Sequence, residues 1–151
     1  PKLVKGPDIF LEIVKKLFEG NKNLKVVLSG KRRNYIINSL DKFEIPYKYF
    51  EMAPLKVVNE LYNLLDLYIV SSRVEGGPQA ILECAASKTP ILSTRVGVAP
   101  EVLHPESIYE IDGFANAKIN TNYAWEQAQK YFLPNGFQSF LVLFEKVNNE
   151  S

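Results

Sequence analysis

Apolar and polar positions alternate along this chain with two different periods. Ile9, Phe10, Ile13, Val14, Leu17 and Phe18 recur at the spacing of one helix face. Pro7 and Asp8 precede them as a start signal and Gly20 follows as a stop, so a helix is predicted between. Leu24 to Leu28 reads as a buried strand ending at Ser29-Gly30. A second helix is predicted over Asn34 to Phe43 and a short strand over Tyr47 to Phe50. Pro54 opens a third helix through Val57, Val58, Leu61, Tyr62 and Leu65. Leu67 to Val70 and Pro90 to Leu92 are short apolar runs bounded by Ser71-Ser72 and Ser93-Thr94, with a helix starting at Pro78 between them. Ser107 to Ile111 reads as a last strand. Ala115 to Phe132 and Phe137 to Val147 read as closing helices, separated by Pro134-Asn135-Gly136.

Short apolar strands alternating with amphipathic helices imply right-handed βαβ crossovers and a parallel sheet covered on both faces. The expected fold is therefore a Rossmann-like α/β domain. The pattern opens on a helix, whereas doubly wound domains open on a central strand, so a strand and a whole domain are expected upstream. The length of 151 residues fits one domain, and no linker or repeat interrupts it.

Composition narrows the chemistry. A net charge of +1, with basic residues scattered apart from Lys31-Arg32-Arg33, argues against a general nucleic-acid-binding face. Cys84 is the only cysteine, which excludes intramolecular disulfides and cysteine-rich metal sites and favours a reducing compartment. His104 is the only histidine, and it is expected to be a surface or packing residue. No metal site is predicted. The first six residues show no apolar core followed by a cleavage site, and no stretch is a candidate membrane span, so the expected location is cytoplasmic.

Ligands of open parallel sheets bind beyond the carboxyl ends of the strands, which directs attention to the loops after Leu28, Phe50, Val70 and Leu92. The loop after Val70 reads Ser71-Ser72-Arg73-Val74-Glu75-Gly76-Gly77-Pro78-Gln79. Pro78 at the first helical position would leave Gly77 as the N-cap. Paired glycines let a ligand approach the backbone, and the free N–H groups of a helix start favour an anion such as a diphosphate. A tight strand-to-helix turn accounts for the same glycines. Glu83 follows on a helix whose neighbours Ala80, Ile81, Leu82, Cys84, Ala85 and Ala86 are apolar or small, predicting burial nearly all round. A carboxylate there needs partners, and vicinal ribose hydroxyls are one choice. A neighbouring backbone group or a buried Arg or Lys is another. Glu83 lies about 7–8 Å along the helix axis from Pro78 at roughly 1.5 Å per residue, a span that suits a ligand with hydroxyls at both ends and phosphates between.

Here the sequence resembles the GT-B retaining glycosyltransferases of family 4, whose C-terminal domains carry a Glu-x7-Glu motif. Glu75-Gly76-Gly77-Pro78-Gln79-Ala80-Ile81-Leu82-Glu83-Cys84-Ala85-Ala86 is similar to the family's E-G-F-(G/P)-x-x-x-x-E-A-M-A run. Leu67 to Ser72 resembles the strand before it, and Lys88 to Gly97 the G-x-P-V-I-x-T-x-x-G after it, with Glu101 matching an acidic residue beyond. Lys5-Gly6 resembles the K-G ahead of the family's first helix, and Leu24 to Gly30 its second strand and glycine. The chain departs at Gly77, where the family often has Phe, and at Pro78, where it often has Gly and where one amide donor is lost.

The resemblance implies the C-terminal, nucleotide-sugar-binding half of a GT-B hexosyltransferase, spanning residues 1–151 as one domain. It implies transfer from a UDP- or GDP-linked sugar to a hydroxyl acceptor with retention of configuration, and no metal or other cofactor. Glu75 would contact the donor sugar and Glu83 the ribose. The Gly76 and Gly77 amides would meet the sugar or diphosphate, with Pro78 and Gln79 beside them, and Lys5 the diphosphate. Gly30 and Lys31 would add phosphate contacts, and the loop Glu51-Met52-Ala53 would hold the base. The carbohydrate or lipid-linked acceptor, and any association with a membrane face, would come through an N-terminal domain absent from this sequence. Such an enzyme serves polysaccharide or glycolipid biosynthesis. A non-catalytic nucleotide-binding module and a GT-B epimerase or phosphorylase are rival readings. A response-regulator-like domain is weaker, because Asp66 precedes its strand.

Overall fold

A computed structural model describes residues 2–149. Pro1, Glu150 and Ser151, which the single-domain reading includes, lie outside the described residues. Helix α1 (Pro7–Gly20) has the predicted bounds. Proline stands in its first turn, and Asn21 turns extended to end it while donating its N–H to the Leu17 carbonyl at 2.9 Å. Strand β1 (Val26–Ser29) leads through α2 (Asn34–Lys42) to β2 (Tyr47–Phe50), and α3 (Leu55–Leu64) leads to β3 (Tyr68–Val70). α4 (Gln79–Ala86) and β4 (Ile91–Ser93) follow, then α5 (Ala99–Val102), α6 (Thr121–Ala128) and α7 (Asn135–Asn149).

The strands pair in parallel, β1 with β2 from Val26↔Tyr47 to Ser29↔Phe50, and β3 with β4 from Tyr68↔Ile91 to Val70↔Ser93. The α/β alternation and parallel pairing are thus as the pattern predicts. The ladder is nonetheless divided: among the described residues β1 and β3 do not pair, and each keeps one edge without a strand partner. Packing joins the halves where hydrogen bonds do not. α1 buries Leu11 and Val14 with Val26, Leu28, Leu40 and Ile45 of the first half, and Ile9 and Ile13 with Leu92 and Tyr109 of the second. A third cluster fills the space under α4, with Ile81, Cys84 and Ala85 fully buried against Val70, Ile91, Ala99, Val102, Ala124 and Ala128.

Three expectations are corrected. The last strand, Ser107 to Ile111, contracts to a single parallel bridge between Ser93 and Ile108. Pro105–Ser107 winds into a 3-10 turn instead, because the Glu106 N–H is captured by His104 Nδ1 at 3.2 Å. The long helix Ala115 to Phe132 shortens to α6, because the Asn120 side chain accepts the Tyr123 N–H at 3.1 Å and starts the helix there. α7 begins at Asn135, so Asn135 and Gly136 are helical and do not separate two helices. It does not close over the core either, since Phe137, Phe140, Leu141, Val142, Leu143, Phe144 and Val147 are all exposed.

The turn ahead of α1 is seated directly on the end of β3. Leu3–Lys5 forms one 3-10 turn, closed by the Gly6 N–H donating to the Leu3 carbonyl at 2.9 Å. Gly6 is left-handed at φ 57°, and a Cβ on it would lie 1.8 Å from the Ser71 carbonyl oxygen. From the other side Arg73 donates its backbone N–H to the Val4 carbonyl and Nη1 to the Leu3 carbonyl, both at 2.8 Å. Its guanidinium also grips Asp8 through two parallel bonds of 2.8 and 2.6 Å.

Gly6→Ala combines a left-handed strain of about 1–2 kcal/mol with a backbone collision. Thermal unfolding is expected to show a loss of more than about 3 kcal/mol, a fall of roughly 6–12 °C at this size. Gly20→Ala, where a Cβ meets nothing within 4 Å, is expected to stay within about 1 kcal/mol. Equal melting of the two variants would show that the Gly6 contact is not limiting.

The Arg73 hydrogen bonds hold the Asp8 carboxyl at about 2, below its ordinary 3.8. A depressed carboxyl pKa contributes stability that is present above 3.8 and lost as pH falls through about 2. Melting curves from pH 5 to pH 2 should therefore fall more steeply for the unaltered chain than for Asp8→Asn. At pH 7 the substitution is expected to cost at most about 1 kcal/mol, because the pair is partly exposed and screened.

Candidate functional site

The seated turn delivers Lys5 to the carboxyl end of β3, where its ammonium pairs with the Glu75 carboxylate from 70 residues away. Glu75 also accepts the Ser72 hydroxyl at 3.2 Å. Glu75 is the more enclosed partner, its side chain 22% exposed against 50% for Lys5.

Beyond Glu75 the chain turns through Gly76 and Gly77 into α4. A Cβ added at either glycine would meet nothing within 4 Å, so the backbone here faces open space. The other flank of the turn is closed by Gly97, whose φ is 47° and whose hypothetical Cβ would lie 2.8 Å from Gly77 Cα and 2.9 Å from Pro78 Cδ. Thr94 fastens the two strand ends, donating its N–H to the Val70 carbonyl at 3.0 Å and its hydroxyl to the Ser72 carbonyl at 2.6 Å. The helix start is displaced by one residue from expectation: Pro78, at φ −68° and ψ 108°, is the N-cap, and Gln79 is the first helical residue and exposed. No side chain caps this end, so its first N–H groups have no intramolecular side-chain partner.

α4 is buried on one face only. Ile81, Cys84 and Ala85 point inward, whereas Glu83 and Ala86 are exposed. The expectation of a helix enclosed nearly all round is therefore wrong, and Glu83 carries no buried-charge penalty that a ligand must relieve. The small residues around Glu83 instead leave room for an open cleft of about 430 Å³ between α3 and α4, lined among others by Leu55, Val58, Asn59, Tyr62, Glu83 and Ser87. Within it the Tyr62 hydroxyl donates to Glu83 Oε2 at 2.8 Å. Burial, then the hydrogen bond to Glu83, push the Tyr62 phenol well above its ordinary value.

Neighbouring Tyr68 is pushed up to about 12, first by burial and then by Cys84, with Arg33 opposing and Glu83 and Glu75 adding. Its phenol thus lies within electrostatic reach of both motif carboxylates and of a cation from the first half. Arg33 was not singled out by the pattern, where it reads as part of a solvated basic run. Its Nε donates to the Ser29 carbonyl at 2.8 Å, bringing the guanidinium to the carboxyl end of β1.

Gly30 sits at that same end, donating to the Phe50 carbonyl and accepting the Tyr49 hydroxyl, each at 3.1 Å. Lys31 and Met52 follow the two strand ends and are exposed, Met52 at 70%. Neither makes a hydrogen bond or ion pair among the described residues, so Lys5 and Glu75 are joined directly while Lys31 and Met52 stand apart. His104 packs edge-on to Tyr123 at 5.2 Å besides accepting from Glu106, and Cys84 is a buried thiol whose pKa burial raises. Both are packing residues. No helix among the described residues is long and apolar enough to cross a membrane.

The chain is 23% identical over 133 residues to the "Amylovoran biosynthesis glycosyltransferase AmsD" of Erwinia amylovora, a match covering 85% of the chain and 38% of that protein. Its fold is similar to that in the "Crystal structure of GtfA/B complex", with a TM-score of 0.73, 14% identity, and coverage of 99% of this chain and 35% of that one. The chain thus spans well under half the length of either relative. The family model described as "Glycosyl transferases group 1" matches residues 2–130, which takes in both glutamates, the glycine turn and Lys5. With most of its length matched, the chain belongs to the group 1 glycosyl transferases.

Proposed function

We propose that this chain is the donor-binding domain of a retaining, family 4 type GT-B hexosyltransferase, with a UDP- or GDP-linked sugar lying along the start of α4. The observation that carries the reading is the convergence of Lys5, Glu75 and an open glycine turn at the β3 end, with Glu83 about one turn into α4 on its accessible face.

The donor's diphosphate takes the Lys5 ammonium and the free N–H groups at the α4 start, which offset each other's loss of water and accept its charge. Glu75 is then released to accept hydroxyls of the sugar, and Glu83 those of the ribose. In the reaction the bond between the anomeric carbon and the phosphate oxygen breaks, its electron pair leaves on the diphosphate, and the acceptor hydroxyl oxygen takes the anomeric carbon on that same face while its proton passes to the departing phosphate oxygen. Lys5 and the helix start stabilise the departing charge. Glu75 orients the sugar and does not protonate it. Gly30 and Lys31 extend the phosphate side, and the Met52 loop receives the base. The acceptor, carbohydrate or lipid-linked, is held by the remainder of a longer enzyme. The relative from Erwinia amylovora, a glycosyltransferase named for amylovoran biosynthesis and much longer than this chain, supports that assignment.

Calorimetric titration of the chain with UDP and GDP is expected to show weak binding of at least one. Glu83→Ala is expected to weaken it by about 10-fold or more, the scale of hydrogen bonds to a charged group. Gly77→Val, which fills the open face of the turn, should weaken it with little change in melting temperature. Unchanged affinity in Glu83→Ala sinks the ribose assignment, and sugar transfer by this chain with nothing added sinks the half-site.

A further inference from the structure

The cleft between α3 and α4 contains a set of hydrogen bonds centred on Tyr62 and Glu83. Tyr62 donates its hydroxyl to Glu83 Oε2 at 2.8 Å, and its own backbone carbonyl accepts the Thr89 hydroxyl at 2.7 Å. With the Thr89 proton so committed, the single Ser87 Oγ proton is shared between Thr89 Oγ1 at 2.8 Å and the Glu83 carbonyl at 2.9 Å. The ring of Tyr62 is braced edge-on by Tyr68, centroids 5.8 Å apart at 69°. The tyrosine is thereby fixed at its backbone, its ring and its hydroxyl, and the Glu83 that it holds is exposed to solvent.

We infer that Tyr62 is a positioning residue for Glu83: it fixes the carboxylate on the open face of α4 so that the free oxygen meets a vicinal diol, which makes Tyr62 a determinant of ribose over 2′-deoxyribose. This rests on the donor-binding reading given above. A glutamate on an exposed helix face has three freely rotating torsions, and a ligand that has to order them loses affinity. The Tyr62 bond removes that loss in advance. It also fixes which oxygen is available, since Oε2 is engaged by Tyr62 while Oε1 accepts no hydrogen bond among the described residues. Both ribose hydroxyls can then be received on the two lone pairs of Oε1, an arrangement a 2′-deoxy sugar cannot complete. A phenol is protonated throughout the neutral range, so the donor is present there.

The test is calorimetry on the full chain with UDP, GDP and their 2′-deoxy counterparts, for the unaltered protein, Tyr62→Phe, Glu83→Gln and the double variant. Tyr62→Phe keeps the ring against Tyr68, and an unchanged melting temperature verifies the fold. The expected result is about a fivefold weakening for the ribonucleotide, little change for the 2′-deoxy nucleotide, and no further loss when Tyr62→Phe is added to Glu83→Gln. Equal weakening of ribo and 2′-deoxy ligands, or losses that add in the double variant, overturn the inference. Binding that depends on Glu83 but ignores Tyr62→Phe overturns it while leaving the donor reading intact. Binding indifferent to Glu83→Gln, or absent altogether, overturns both.

Discussion

The contact on which the rest of the structure depends is the approach of Gly6 to the Ser71 carbonyl at the end of β3. A left-handed residue without a Cβ is required there, because any side chain would enter the carbonyl oxygen. Once it is made, the backbone of Leu3 and Val4 falls within reach of Arg73, and Arg73 in turn reaches Asp8 in the first turn of α1. The same seating sets where α1 begins and therefore which of its residues face each half. Ile9 and Ile13 meet β4 while Leu11 and Val14 meet β1, and this helix spans two strand pairs that share no ladder. It also sets the site, since Lys5 is one residue before the contact and Glu75 four residues after it.

Elements whose own residues decide their state were legible in the sequence, and those decided by capture of a single backbone group were not. α1 and β2 have the predicted bounds because helix period, proline, glycine and strand alternation all agree there. The run Ser107 to Ile111 has strand character, yet one hydrogen bond from Glu106 to the His104 ring diverts its first residue into a turn. Asn120 shortens α6 by the same kind of local competition. The seven exposed apolar residues of α7 mark the limit of periodicity as a guide, because a helix pattern specifies an apolar face without specifying what that face meets.

At the site, spacing made the two glutamates and the glycine turn visible, but for Glu83 the physical reason was different from the one the sequence offers. A small neighbour such as Ala86 looks like tight packing in one dimension; in three it lines an open cleft. Tyr62 reads as one more apolar position of α3, and Arg33 as one of three adjacent cations. Tyr62 owes its place beside Glu83 to a hydroxyl contact across elements, and Arg33 its place at the end of β1 to a bond with the Ser29 carbonyl, neither of which a period records. The union of Lys5 with Glu75 is likewise invisible at a separation of 70 residues.

The cations of this region are not equivalent, and on the proposed reading their present partners decide which of them serves a diphosphate. Arg73 is committed to Asp8 through two parallel bonds and to the Leu3 carbonyl, so removing it would also undo the seat of α1. Lys5 is held by one half-exposed carboxylate contact, and such pairs in water contribute about 0–1 kcal/mol. In the proposed complex an arriving dianion that also receives the α4 amide groups would outcompete that contact. On the proposed reading the exchange has a second effect, because it frees Glu75 as an acceptor at the moment the sugar arrives beside it. The weakness of the Lys5–Glu75 pair is then what makes it useful: it keeps both side chains assembled at the strand end without holding either away from the donor.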